Sequence, residues 1–95
     1  MDKIVFITGA SSGIGAGCAR KFASQGASLI LNARNVNKLS ALKEELEKQY
    51  GAKIYLLPFD VRDRKAATSA LESLPKEWQS IDILVNNAGL VIGTD

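Results

Sequence analysis

Residues 8–15, with the sequence Thr-Gly-Ala-Ser-Ser-Gly-Ile-Gly, place three glycines directly after the apolar run Ile4-Val5-Phe6-Ile7. Apolar residues then recur at helical spacing, so the glycines lie at a predicted strand-to-helix turn. The first turn of a helix leaves backbone N–H groups without partners, and these groups bind anions together with the helix dipole. The stretch therefore predicts a binding loop for the pyrophosphate of a dinucleotide. An ordinary glycine-rich turn is the alternative.

Each glycine has a separate expected role in such a loop. Gly9 lets the chain turn sharply, Gly13 lets a ligand approach the backbone because no Cβ intervenes, and Gly15 lets the helix pack tightly. The loop serines either donate hydrogen bonds to phosphate or cap the helix. The cofactor-binding residues predicted in the loop are Gly9, Ala10, Ser11, Ser12, Gly13, Ile14 and Gly15.

Apolar runs alternate with amphipathic segments along the whole chain. Strands are predicted over 3–8, 28–33, 53–59 and 81–85, and helices over 13–25, 36–50 and 64–74. This alternation predicts an α/β fold with a parallel sheet and helices on both faces. We expect a doubly wound sheet with strand order 3-2-1-4. The ligand crevice should lie at the carboxyl ends of the first and fourth strands, where the order reverses.

The helix boundaries follow from apolar spacing and capping residues. Ile14, Cys18 and Phe22 recur at intervals of four and predict the buried face of the first helix. Gly51 is expected to end the second helix, and Asp63 is expected to cap the third.

Composition and charge exclude several classes of protein. The 95 residues include 12 basic and 10 acidic residues, well mixed along the chain, which argues against a nucleic-acid-binding surface. The single cysteine excludes an internal disulfide and fits a reducing compartment, so we expect a cytoplasmic protein. Without histidine, a zinc site and a His general base are not expected within these residues. No apolar run is long enough for a membrane span.

The end of the second predicted strand indicates which dinucleotide is bound. An NAD site places Asp or Glu there, about twenty residues past the glycine loop, to bind the ribose 2′-OH. This chain has Ala33 followed by Arg34. The missing carboxylate removes repulsion toward a 2′-phosphate, and the guanidinium supplies donors that suit phosphate oxygens. We therefore expect NADP, with Asn35 assisting through its backbone N–H or side chain. A solvated surface arginine is the alternative for Arg34.

The glycine loop, Asp60-Val61 and Asn86-Asn87-Ala88-Gly89 together resemble three motifs of the short-chain dehydrogenase/reductase family, in the same order along the chain. The resemblance implies a Rossmann-type fold and hydride transfer between NADP(H) and the alcohol or carbonyl of a small substrate. It implies that Asp60 accepts from the adenine amino group, with the Val61 backbone nearby, and that Asn87 faces the adenosine ribose. The residues alone leave a turn or cap role open for Asp60. They favour a sheet-bridging role for Asn86, because buried amides need partners.

A narrower resemblance covers 60–64, 73–78 and 81–93, which are similar to the NADP-dependent serine/3-hydroxy acid dehydrogenase subgroup. It implies a 3-hydroxy acid substrate such as serine or 3-hydroxypropionate. One departure is Ser12, because many NADP-dependent relatives carry a basic residue at that position.

The catalytic residues of the family cannot be placed in this chain. Family members use a downstream Ser, a Tyr-x-x-x-Lys and an Asn, but Tyr50 and Tyr55 are followed at the fourth position by Ile54 and Phe59. We therefore expect residues 1–95 to be the dinucleotide-binding half of one family domain, inactive alone. The full-length enzyme is expected to be a homo-oligomer, either a dimer or a tetramer. A non-catalytic NAD(P)-binding module and an NAD-linked relative are the alternatives.

Overall fold

The computed structural model describes residues 1–88 of the chain. Within that range the strands are β1 (Ile4–Thr8), β2 (Ser28–Leu31), β3 (Ile54–Leu56) and β4 (Ile83–Asn86). The helices are α1 (Gly13–Ser24), α2 (Val36–Tyr50) and α3 (Arg64–Glu72), with a 3-10 turn at Lys76–Trp78. Gly89 and the continuation over 90–93 lie outside the described residues.

The strands form one parallel sheet in the order β3-β2-β1-β4, as the sequence predicts. Phe6 of β1 lies opposite Ile30 of β2 on one side and Leu84 of β4 on the other. The chain thus passes from one edge of the sheet to the other between β3 and β4. This reversal opens a crevice at the carboxyl ends of β1 and β4. The predicted α/β, doubly wound Rossmann-type architecture is confirmed.

Two apolar layers cover the two faces of the sheet. Val5 and Ile7 pack into the cluster that contains the buried residues of α1 and α2. Phe6, between them in sequence, packs into the opposite cluster with α3 residues. That second cluster also holds Trp78, whose ring centroid lies 5.7 Å from that of Tyr55. Because side chains alternate along a strand, β1 contributes to both layers.

Helix α1 packs against the sheet through small residues, which differs from the predicted face. Cys18 and Phe22 are partly buried, but the Ile14 side chain is 74% exposed, so the prediction of a buried Ile14 is wrong. Ile14 lies in the first turn of α1, directly after the glycine loop, and this position in the helix is exposed. Small side chains let the helix approach the strands closely. The buried side chains of α1 are Ala16, Ala19 and Ala23.

Both predicted caps are confirmed, and some limits of strands and helices are corrected. Gly51 ends α2 at φ +64°, and the Asp63 carboxylate accepts from Ala66 N–H at 3.0 Å. Strand β3 is shorter than predicted, because Pro58 has no N–H and pairing stops after the bond from Leu57 N–H to Leu31 O at 2.9 Å. Helix α3 ends at residue 72 rather than 74, and β4 begins at 83 rather than 81. Across residues 1–88, no helix combines the length and apolar character that crossing a bilayer requires.

Candidate dinucleotide site

The glycine loop connects the carboxyl end of β1 to α1, and two of its glycines are required by the backbone. Gly9 has φ +62°, where a side chain is strained, and a Cβ there would lie 2.9 Å from Asn87 Nδ2. A Cβ on Gly15 would overlap the Gly9 carbonyl oxygen. Gly15 therefore makes room for the loop itself rather than for the strand below. A Cβ on Gly13 would meet nothing within 4 Å among the described residues.

Ser12 is the N-cap of α1, and its hydroxyl is fully used within the protein. Its Oγ accepts from Gly15 N–H at 3.1 Å and from Asn87 Nδ2 at 2.9 Å. It donates to the Gly9 carbonyl oxygen at 2.9 Å. A hydroxyl has one donor and two acceptor positions, so these contacts occupy all of them. Of the two roles left open for Ser12, the structure favours the cap.

The free donors of the loop lie beside Ser12. The Ser11 hydroxyl lines a cleft and has no hydrogen-bond partner within residues 1–88. The backbone N–H groups of Gly13 and Ile14 have no acceptor within that range either. They open α1, where the positive end of the helix dipole adds to their attraction for an anion. This part of the loop can bind a phosphate group.

Asn32, to which the sequence assigned no role, holds the ends of three strands together. Its side chain is buried, and Nδ2 donates to the carbonyl oxygens of Leu57 and Phe59, both at 3.1 Å. Its Oδ1 accepts from Gly9 N–H at 3.4 Å. The available sequence signal is a lone amide at the end of an otherwise apolar strand. Such a group needs partners once it is buried.

The end of β4 is tied to β1 and to the glycine loop. Thr8 Oγ1 donates to Asn86 Oδ1 at 3.2 Å and accepts from Ala88 N–H at 3.0 Å. Asn86 thus bridges β4 and β1, as predicted, and in this contact its partner is the Thr8 side chain of β1. Asn87 Nδ2 donates to the Gly9 carbonyl at 3.1 Å as well as to the Ser12 hydroxyl. The Asn87 Oδ1 atom receives no hydrogen bond from the described residues, so it is the part of this amide that is left to accept from a ligand.

Two cations lie near the end of β2. The Arg34 side chain is 68% exposed, and its Nη1 atom lies 4.0 Å from Asp60 Oδ2. Asn35 caps α2, because its Oδ1 accepts from Lys38 N–H at 3.1 Å. Lys38 lines the same cleft as Arg34 and forms no ion pair within residues 1–88. The sequence analysis missed Lys38, although its position four residues after Arg34 in the first turn of α2 was a usable signal.

The carboxylate of Asp60, which follows β3, is held by Arg62. Arg62 Nε donates to Oδ1 at 3.1 Å, Nη2 donates to Oδ2 at 2.9 Å, and the backbone N–H donates to Oδ1 at 2.9 Å. These hydrogen bonds, with a smaller contribution from the charge of Arg34, lower the pKa of Asp60 to about 2. The turn role that the residues left open is therefore present in the structure. Asp60 is ionised at neutral pH, as an ordinary aspartate is, and it lies at the edge of the cleft.

The cleft has a volume of about 430 Å³ and lies between the glycine loop and the segments after β2 and β3. The predicted site residues that line it are Gly9, Ser11, Ser12, Arg34, Asp60 and Val61. The predicted site residues outside its lining are Ala10, Gly13, Ile14, Gly15, Asn35 and Asn87. Ala10 is buried, and its N–H donates to Asn32 O at 2.7 Å. The cleft therefore combines phosphate donors at one end, cations on its rim and an ionised acceptor.

Comparison with known proteins gives a family match over nearly the whole chain. The model of the short chain dehydrogenase family matches residues 3–95. NADP-dependent 3-hydroxy acid dehydrogenase YdfG of Escherichia coli (strain K12) is 46% identical over 92 residues, covering 97% of this chain and 36% of that protein. The NADP-dependent 3-hydroxy acid dehydrogenase of Schizosaccharomyces pombe is 46% identical over 94 residues, covering 98% and 36%. The chain thus spans about a third of the length of these relatives.

Solved structures show the same fold. Serine dehydrogenase from Escherichia coli superposes with a TM-score of 0.80 at 45% identity, covering 88% of this chain and 37% of that one. The closed form of serine dehydrogenase complexed with NADP+ superposes with a TM-score of 0.75 at 43% identity, covering 88% and 32%.

Proposed function

Because the chain belongs to the short chain dehydrogenase family, we propose that it is the cofactor-binding part of an NADP-dependent oxidoreductase. Residues 1–95 are proposed to form the dinucleotide-binding part of one family domain. The bound nicotinamide exchanges a hydride with the alcohol or carbonyl of a small substrate. The relatives named for 3-hydroxy acids support a 3-hydroxy acid, such as serine or 3-hydroxypropionate, as that substrate.

The observation that carries the cofactor proposal is the cationic rim at the end of β2. Ala33 leaves no carboxylate to bind a ribose 2′-OH, and Arg34 and Lys38 both line the cleft. A phosphate monoester carries a charge of about −1.5 to −2 at neutral pH, so two cations suit it better than one. NADP therefore fits this rim better than NAD, which keeps the NAD-linked relative as the weaker alternative.

The other predicted site residues are assigned to the pyrophosphate, the adenine and the ribose of the cofactor. The Gly13 and Ile14 N–H groups and the Ser11 hydroxyl bind the pyrophosphate, and the absence of a Cβ on Gly13 lets it come close. Asp60 accepts from the adenine amino group beside the Val61 backbone. Ala10, Ser12 and Gly15 keep the loop in shape, and Asn35 holds the start of α2 next to Arg34. Asn87 places its amide between the loop and the ribose.

The experiment that tests this proposal is a titration of the full chain with NADPH and with NADH, followed by nicotinamide fluorescence. We expect the unmodified chain to bind NADPH at least about tenfold more tightly. Arg34→Gln should lower NADPH affinity selectively, and Lys21→Gln, which removes the same charge from the exposed end of α1, should change neither cofactor. Equal losses for both cofactors in Arg34→Gln would refute the 2′-phosphate role.

A non-catalytic NAD(P)-binding module is separated from the enzyme by turnover of the full-length protein. The enzyme should oxidise a 3-hydroxy acid with NADP+. A full-length protein that binds NADPH tightly but oxidises no alcohol and reduces no carbonyl would favour the module.

A further inference from the structure

We propose that Arg62 is a positioning residue, which orients Asp60 so that the cleft selects a purine with an exocyclic 6-amino group. The inference rests on the proposed cofactor function of the cleft and concerns the base end of the bound dinucleotide. Its basis is the side-chain fork that joins Arg62 and Asp60 at the edge of that cleft.

The fork fixes the plane of the Asp60 carboxylate. Nε and Nη2 of Arg62 each bond to a different oxygen, at 3.1 Å and 2.9 Å, which is the bidentate arrangement of an arginine–carboxylate pair. The backbone N–H of Arg62 adds a third contact, to Oδ1 at 2.9 Å. A single hydrogen bond leaves a carboxylate free to rotate, whereas two parallel bonds and a backbone anchor do not.

The contacts also determine which oxygen can meet a ligand. A carboxylate has about four acceptor positions, two on each oxygen. Oδ1 receives both the backbone N–H and Nε, so its two positions are taken. Oδ2 accepts one hydrogen bond, from Nη2. Nε lies 3.3 Å from Oδ2, but its single proton is shared with the closer Oδ1. The Nη1 atom of Arg34 lies 4.0 Å from Oδ2, which is beyond hydrogen-bond distance. Oδ2 therefore keeps an open acceptor position.

The ionised state of Asp60 makes that position selective. A carboxylate accepts hydrogen bonds and cannot donate one, so it attracts a 6-amino group and repels a 6-oxo oxygen. A protonated acid could donate to the 6-oxo group and would lose this preference. The ordinary aspartate pKa of 3.8 already leaves the acid form unpopulated at neutral pH, and Arg62 lowers the pKa of Asp60 further, to about 2. The contribution of Arg62 at neutral pH is therefore the direction of the acceptor, which the fork and the backbone contact fix.

The test compares NADPH with its analogue in which hypoxanthine replaces adenine. We expect the unmodified chain to bind NADPH at least about tenfold more tightly, since a lost bond to a charged group and an acceptor–acceptor contact act together. Arg62→Gln should reduce this ratio to about threefold or less. Lys65→Gln, a matched loss of charge at an exposed position outside the cleft, should keep the full ratio. The Arg62 side chain is 75% exposed, so the variant should fold.

Arg62→Lys separates orientation from charge, because lysine keeps the cation but not the fork. A ratio that stays low in Arg62→Lys supports positioning, and a fully restored ratio overturns it. An unchanged ratio in Arg62→Gln, or an equal loss in Lys65→Gln, also overturns the inference. A chain that binds NADPH without preferring adenine refutes the selectivity alone, whereas a chain that does not bind NADPH refutes the proposed function.

Discussion

The side-chain amide of Asn87 donates to the hydroxyl of Ser12 at 2.9 Å and joins the end of β4 to the first turn of α1. The two residues are 75 positions apart in the chain. The same amide donates to the Gly9 carbonyl oxygen at 3.1 Å. The shape of the glycine loop therefore depends on the last strand of the described sheet, and not only on the residues of the loop.

Removal of either partner should destabilise the fold, and the two effects should not add. Asn87→Ala loses two hydrogen bonds, and Ser12→Ala loses the cap of α1, so each should cost about 1–2 kcal/mol in the free energy of unfolding. The double variant should be less destabilised than the sum, by about 0.5 kcal/mol or more, because the partners share a bond. Urea unfolding of the four proteins measures this coupling. Strict additivity would show that the bond carries no energy.

The three loop glycines should separate folding from binding when each is replaced by alanine. Gly9→Ala and Gly15→Ala should unfold the loop or the whole chain, because the first combines φ +62° with a close contact and the second overlaps a carbonyl oxygen. Gly13→Ala should keep the melting temperature, since its Cβ meets no protein atom within 4 Å in the described part. It should nevertheless weaken NADPH binding, measured by calorimetry. Unchanged binding by a folded Gly13→Ala would contradict a close approach of the cofactor there.

The sequence predicted those features that depend on local pattern. The parallel sheet in the order 3-2-1-4 follows from the alternating elements and the doubly wound fold that they indicate, and the end of α2 at Gly51 and the start of α3 at Asp63 follow from capping chemistry. The prediction that Ile14 is buried was wrong for a physical reason. Its spacing from Cys18 and Phe22 matched a helical face, but periodicity does not show how far along a helix the neighbouring elements cover that face.

Other features depend on where distant chain segments meet, which single-sequence patterns do not specify. Asn32 contacts carbonyl groups beyond β3, and Lys38 shares a cleft with Arg62 only because the segments after β2 and β3 lie side by side. Arg62 and Asp60 are only two positions apart in the sequence, but this spacing does not show which carboxylate oxygen of Asp60 stays open to a ligand. The individual roles of the predicted site residues toward a cofactor stay predictions.

The ion pair of Asp60 should contribute to stability in a defined pH range. The Asp60 pKa lies at about 2 in the folded protein and 3.8 is its ordinary value, so the pair stabilises the folded state above 3.8. This contribution is lost as the pH falls through about 2. The melting temperature of the unmodified chain should exceed that of Asp60→Asn by a constant amount between about pH 5 and 8, and the difference should shrink in acid. A difference that grows toward pH 3 would contradict the assigned pKa direction.

Lys38 should act as a second cation for the 2′-phosphate of NADP. It lies in the first turn of α2, where the helix dipole disfavours a positive charge, and it has no ion-pair partner within residues 1–88. An anionic ligand at the rim would compensate this unfavourable placement. Lys38→Gln should therefore weaken NADPH binding by about five- to tenfold and leave NADH binding unchanged, while slightly raising the melting temperature.

Lys48→Gln, which removes a cation from the far end of the same helix, is the matched control and should not change either affinity. A selective loss in Lys38→Gln that also grows as the pH rises through the second pKa of the phosphate, about 6, would identify the doubly charged phosphate as the group that Lys38 contacts. Equal losses for NADPH and NADH would place Lys38 outside the 2′-phosphate site.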